Sequence, residues 1–142
     1  MKKINWADWP RKELFDFFSG MSQPFYSVTF GVDVTNLYRF AKENGLSFYY
    51  SLVCLCTRAV NRVEAFRYMV SGGDLYLLEE RIPSFTDLKP GSERFHIVTM
   101  PCLGSIQAFC KAAREKSLAQ TTFLDQASET DDLIYFSCLP WV

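Results

Sequence analysis

Apolar positions along the chain alternate between two spacings, one suited to helices and one to strands. Residues 8–19, "DWPRKELFDFFS", predict a helix. Asp8 stands as its cap, Pro10 suits the first turn, and Gly20 ends it. Leu14, Phe15, Phe17 and Phe18 give this helix a wide aromatic face. In 25–34, "FYSVTFGVDV", the apolar side chains Val28, Phe30, Val32 and Val34 recur at every second position, which predicts a strand. Thr35 caps a short helix that Gly45 closes. Ser47 opens a longer one over 47–62, with Phe48, Leu52, Val53, Cys56 and Val60 at helical spacing.

The second half returns to strands. "SGGD" at 71–74 is a turn between two extended runs and predicts a hairpin. Residues 83–89 and 93–100 read as two strands flanking "KPGS". An amphipathic helix over 103–118 directs Ile106, Phe109, Cys110 and Ala113 inward. The polar segment "TTFLDQASETDD" reads as a loop, and "LIYFSCLPWV" as a final strand. Helices and strands mix without a regular βαβ alternation. This pattern predicts an α+β fold, a layered mixed sheet with packed helices, in a single domain over 1–142.

Composition and charge narrow the function classes. About half the residues are apolar (49%), with 13 Phe and 7 Tyr, enough to build a core and to argue against disorder. The net charge of −1 offers no basic field for nucleic acid or a membrane surface. Residues 1–10 lack the apolar stretch of a signal peptide, so a cytoplasmic location is expected. The five cysteines contain no C-x-x-C, and His96 is the single histidine, so no metal site is expected and the cysteines read as buried or half-buried thiols. His96 lies in the extended "ERFHIVT" with no orienting partner nearby in sequence, and reads as an ordinary strand histidine. "SGGD" lacks the lysine and the following helix of a phosphate-binding loop. The aromatic cluster Trp9, Phe15, Phe17, Phe18, Phe25 and Tyr26 reads as core, or as the wall of an apolar ligand pocket.

The ordered motifs carry more. "WPRKELFDFF" resembles the W-x-R-K-E-x-F opening helix of the chloramphenicol acetyltransferase family. "DVTNLY" is similar to that family's D-[IV]-T-x-[FL] helix start, "NRVEAFRY" to its "N…EFR" segment, and "FSCLPWV" to its S-x-x-P-W-[VI] strand. The likeness runs collinearly over the whole chain. It implies an acetyl-CoA-dependent O-acetyltransferase acting on a small-molecule hydroxyl acceptor, assembled as a homotrimer with active sites between subunits. A histidine would be the general base. By the same resemblance, Ser137 donates to the oxyanion of the tetrahedral intermediate, and Trp141 lies near coenzyme A. Arg11 pairs with the aspartate of a catalytic H-x-x-x-D-G segment. Phe17, Phe18 and Phe95 line the acceptor pocket, and Phe18 replaces a tyrosine found in some members, which removes a hydroxyl contact to the acceptor.

That H-x-x-x-D-G segment occurs nowhere in the 142 residues, and His96 lies in the wrong segment to replace it. The chain thus resembles the N-terminal two-thirds of a family member, with the fold incomplete at the C-terminus. Two readings follow. One is an acetyltransferase represented in part and inactive alone. The other is a non-catalytic relic serving as a binding or subunit-interaction module. The acyltransferase core of a dehydrogenase complex shares the base motif. The absence of Ala/Pro-rich linkers disfavours it.

Overall fold

The computed structural model describes residues 1–139. They form four helices of eight or more residues, α1 (Lys12–Ser19), α2 (Thr35–Glu43), α3 (Phe48–Asn61) and α4 (Ile106–Ala119). Six strands accompany them: β1 (Lys2–Ile4), β2 (Tyr68–Ser71), β3 (Asp74–Leu77), β4 (Ile82–Leu88), β5 (Phe95–Thr99) and β6 (Leu133–Phe136). They make two three-stranded sheets. The first, in the order β1-β3-β2, is antiparallel throughout. The second, β5-β4-β6, is mixed, because β4 pairs antiparallel with β5 and parallel with β6. The α+β class and the mixed sheet match the reading of the sequence.

The β2–β3 hairpin forms where "SGGD" placed it. Gly72 and Gly73 both take positive φ, 59° and 82°, the conformation that a two-residue turn matched to strand twist demands. Ser47 caps α3 by accepting from the Tyr50 amide, and Ser105 caps α4 by accepting from Ala108. Beneath these helices lies the core: Val53 and Cys54 of α3, Phe109 and Ala113 of α4, and Phe85 and Val98 of the mixed sheet, all almost completely buried. Two hydroxyls share the buried face of α3. Ser51 and Thr57 each donate to the carbonyl four residues earlier, at 2.8 Å, and so enter the core without an orphaned donor.

Several elements depart from the expected pattern. The strand expected over 25–34 is not formed; these residues carry no regular secondary structure and no strand pairing. Its apolar side chains stand in solvent, Phe30 at 74% and Tyr26 at 90% exposure. Alternation alone cannot make a strand, because its backbone groups need a neighbour to bond to. The first helix begins at Lys12 rather than at Asp8. Asp8 instead belongs to a 3-10 turn, Trp6–Asp8, which Asn5 caps. Of the helix's aromatic face, Phe15 alone packs inward, against Trp6 and Trp9. Thr35 is the first residue of α2, and its amide is held by the Asp33 carboxylate at 2.9 Å. The buried face of α3 centres on Tyr50, Val53, Cys54 and Thr57, rotated from the expected apolar stripe because Ser51 and Thr57 satisfy themselves. The short strand β1 carried no sequence signal.

Arg81 joins the two sheets. Its guanidinium donates to the carbonyls of Phe66 and Tyr68 beside the first sheet and to that of Asp131 at the entry to β6. Asn61, at the end of α3, grips the Arg81 backbone from both sides, donating to its carbonyl at 3.0 Å and accepting from its amide at 2.7 Å. A charge-assisted hydrogen bond contributes about 1.5–3 kcal/mol when sheltered and less where water competes, as it does at the exposed Phe66 and Asp131 carbonyls. Arg81→Met is therefore expected to lower unfolding free energy by about 1.5–3 kcal/mol, whereas the exposed control Arg94→Met changes it by less than about 0.5 kcal/mol. Urea unfolding followed by tryptophan fluorescence measures both.

Candidate active site

Ser137 follows directly on β6, whose last ladder pair sets Phe136 beside Phe85. Phe136 packs against the core, while Ser137 emerges from it exposed. The serine lies at the strand's exit rather than inside it, contrary to the sequence reading, and its side chain is open to an incoming group. Nearby, the Tyr49 hydroxyl is buried without a hydrogen-bond partner among the described residues. Burial pushes its phenol up from the ordinary value.

The remaining expected site residues are spread over the surface. Arg11 stands at the start of α1, exposed, and takes part in no ion pair among the described residues. Phe17 and Phe18 lie edge to face with ring centroids 5.2 Å apart, both largely exposed. Phe95 opens β5 and packs edge to face on Phe123 at 5.5 Å. Among the described residues no ring contact joins one aromatic pair to the other. Phe95 and Phe123 wall an open groove of about 520 Å³ between the β4–β5 turn and the segment after α4, with Lys89, Arg94 and Gln120 at its sides. Trp141 lies outside the described residues. Within these residues Phe17, Phe18 and Phe95 thus face solvent in separate pairs and do not enclose a pocket.

A buried polar cluster escaped the sequence reading. The β4–β5 register sets Asp87 opposite His96, residues nine apart in the chain. The Tyr50 phenol donates to the Asp87 carboxylate, and His96 Nε2 shares a hydrogen bond with Ser117 Oγ at 2.9 Å. Burial first, and then the Asp87 carboxylate, push the Tyr50 phenol well above its ordinary value, so Tyr50 stays neutral and donates. His96 is 6% exposed and its Nε2 is committed to α4. That arrangement locks a sheet to a helix. A general base needs a free nitrogen within reach of a substrate proton. No sequence signal announced the cluster, because its members come from α3, β4, β5 and α4 and meet only through the fold.

The α+β fold, with α3 and α4 packed on the mixed sheet, is shared with a solved chloramphenicol acetyltransferase. The two superimpose with a TM-score of 0.83 at 25% sequence identity, over 95% of this chain and 68% of the other. The family model described as chloramphenicol acetyltransferase matches residues 1–142, and the chain belongs to that family. Similar relatives include chloramphenicol acetyltransferase 3 of Escherichia coli, 24% identical over 99% of this chain and 67% of its own length. The chloramphenicol acetyltransferase of Proteus mirabilis is 27% identical over 98% and 65%, and that of Staphylococcus aureus 32% identical over 75% and 50%. The chain therefore spans between half and about two-thirds of the length of these relatives. No helix among the described residues is long and apolar enough to cross a membrane.

Proposed function

We propose that these residues form the acceptor-side and oxyanion-side part of an acetyl-CoA-dependent O-acetyltransferase acting on chloramphenicol or a similar small hydroxyl compound. The observation that carries this reading is the family match over the whole chain, which includes the S-x-x-P-W segment that follows β6 in the sequence. In the mechanism, a base removes the acceptor hydroxyl's proton as the oxygen attacks the thioester carbonyl. Negative charge then gathers on the former carbonyl oxygen. Ser137 Oγ–H donates to that oxygen and lowers the barrier, and the intermediate collapses by expelling the coenzyme A thiolate. Phe17, Phe18 and Phe95 offer apolar faces to the acceptor, and Trp141 would adjoin coenzyme A. Arg11 would hold the aspartate of the base-bearing segment.

The base itself must come from outside the 142 residues, because they contain no H-x-x-x-D-G and His96 is committed to Ser117. Loss of general-base catalysis typically costs about 10²–10⁴ in rate. The purified 142-residue chain, assayed with acetyl-CoA and chloramphenicol, is expected to turn over at least about 10²-fold more slowly than the Proteus mirabilis relative. Turnover matching that relative would overturn this assignment. Fusing the chain to the remaining C-terminal part of that relative supplies a base and makes Ser137 testable. In an active fusion, Ser137→Ala is expected to lower kcat about 10²–10³-fold with little change in KM.

The second reading, a non-catalytic binding or subunit-interaction module, draws support from the apolar side chains of 25–32 that stand in solvent. Exposed patches of this kind mark interaction surfaces. In either reading the chain self-associates, as a homotrimer by family resemblance. Native mass spectrometry is expected to find oligomers of the chain, and Phe30→Lys with Val32→Lys to shift them toward monomer. A wild-type chain that is wholly monomeric would exclude this assembly.

A further inference from the structure

Cys54 and Cys102 bring their sulfurs to 3.1 Å across the space between α3 and the segment leading into α4. The proposed acetyl transfer uses neither residue. Cys54 is fully buried, one turn before Arg58 on α3; Cys102 is half-buried at the edge of the core. Arg58 donates to the Gly104 carbonyl and so ties down the loop that carries Cys102. Gly104 makes that loop possible: its φ is +70°, and a Cβ there would meet the Ala108 Cβ at 3.3 Å. Two thiols from distant parts of the chain are thus held in reach of each other by a buried helix and a clamped turn.

We propose that Cys54 and Cys102 form a reversible redox modification site that hydrogen peroxide or an organic hydroperoxide converts to a disulfide. Cys102, the more accessible of the two, attacks the hydroxyl-bearing peroxide oxygen as a thiolate. The O–O bond breaks, the leaving oxygen takes a proton and departs as water or an alcohol, and Cys102 becomes a sulfenic acid. The Cys54 sulfur then attacks the Cys102 sulfur, loses its proton, and expels hydroxide, which that proton converts to water. Two thiols have lost two electrons and the peroxide has gained them. A small dithiol reductant reverses the reaction by exchange.

The surroundings favour this order of events. The hydrogen bond shared with the Cys54 sulfur is the largest influence pulling Cys102 below the usual thiol range; the nearby Arg58 guanidinium adds to it, and burial and Glu80 oppose it. The same hydrogen bond, with burial, pushes Cys54 up, so Cys54 keeps its proton until a partner sulfenic acid forms. Of the other cysteines, Cys110 is buried with its sulfur 3.4 Å from Ser51 Oγ, and burial pushes Cys56 up. Cys138 is exposed but has no neighbouring sulfur among the described residues.

The test uses the full chain, freshly reduced, desalted and treated with one equivalent of hydrogen peroxide at neutral pH. Free thiols are then alkylated and the cysteines mapped by fragmentation mass spectrometry. The expected first product is the Cys54–Cys102 disulfide, two hydrogens lighter, with Cys56, Cys110 and Cys138 still alkylated. Cys54→Ser should leave a sulfenic acid at Cys102 that dimedone traps, and Arg58→Met should slow oxidation several-fold. Oxidation of Cys138 ahead of a still-reduced Cys54–Cys102 pair would overturn the proposal, as would a dominant disulfide between any other two cysteines. The wild-type reading alone decides, whatever the folding of the variants.

Discussion

The junction at Arg81 holds the two halves of the structure to one another. Two small sheets have no shared ladder, so their relative position must be set by side chains. A single guanidinium reaches three backbone carbonyls on both sides, and Asn61 fixes the backbone from which it reaches. Arginine suits this task because its donors fan out in a rigid plane and its charge strengthens each bond. A lysine could not reach three divergent acceptors from one stem. The entry to β6 is one of the anchored points, so the strand that leads to Ser137 starts from a position fixed by Arg81.

Most of the fold was legible because its signals are local. Ser47 and Ser105 announce their helices by a side chain that bonds the first turn, and "SGGD" announces a hairpin by two residues free to take positive φ. The segment over 25–34 misled because alternation describes which side chains would share a face, not whether a partner strand is there to receive the backbone. The face of α3 misled for a different reason. Hydropathy ranks Ser51 and Thr57 as surface residues, yet a hydroxyl that bonds its own helix carries no cost into the core. Arg81 was invisible for a third reason: its acceptors are main-chain carbonyls, which no sequence pattern marks.

The candidate site divides in the same way. The motif order identified the family without any geometry, and the match over 1–142 agrees. Periodicity and composition could say nothing of Ser137, since an exposed serine after a strand looks the same whatever it does. The Asp87–Tyr50 and His96–Ser117 contacts were beyond reach because four elements contribute to them. These contacts also explain a chemical point that sequence could only guess. His96 is the chain's single histidine, and the fold spends it on holding β5 to α4.

Oxyanion stabilisation works only where the donor is already in place before charge develops, since a group that must reorganise loses much of its effect. An exposed serine on a loop would be poorly suited to it. Ser137 is exposed, yet it stands one residue beyond a ladder pair whose other member, Phe85, is 1% exposed at the centre of the core. Phe85 touches Tyr49, Tyr50 and Phe109, so its own freedom is small. The position of Ser137 is therefore inherited from the buried core, while its side chain is exposed. Of the aromatic residues expected to receive the acceptor, Phe95 is held in the β4–β5 ladder, whereas Phe17 and Phe18 ride on a helix with no buried residue. A donor held rigidly and apolar faces held loosely differ in what they can select, because only groups fixed before charge develops discriminate strongly between ground state and transition state.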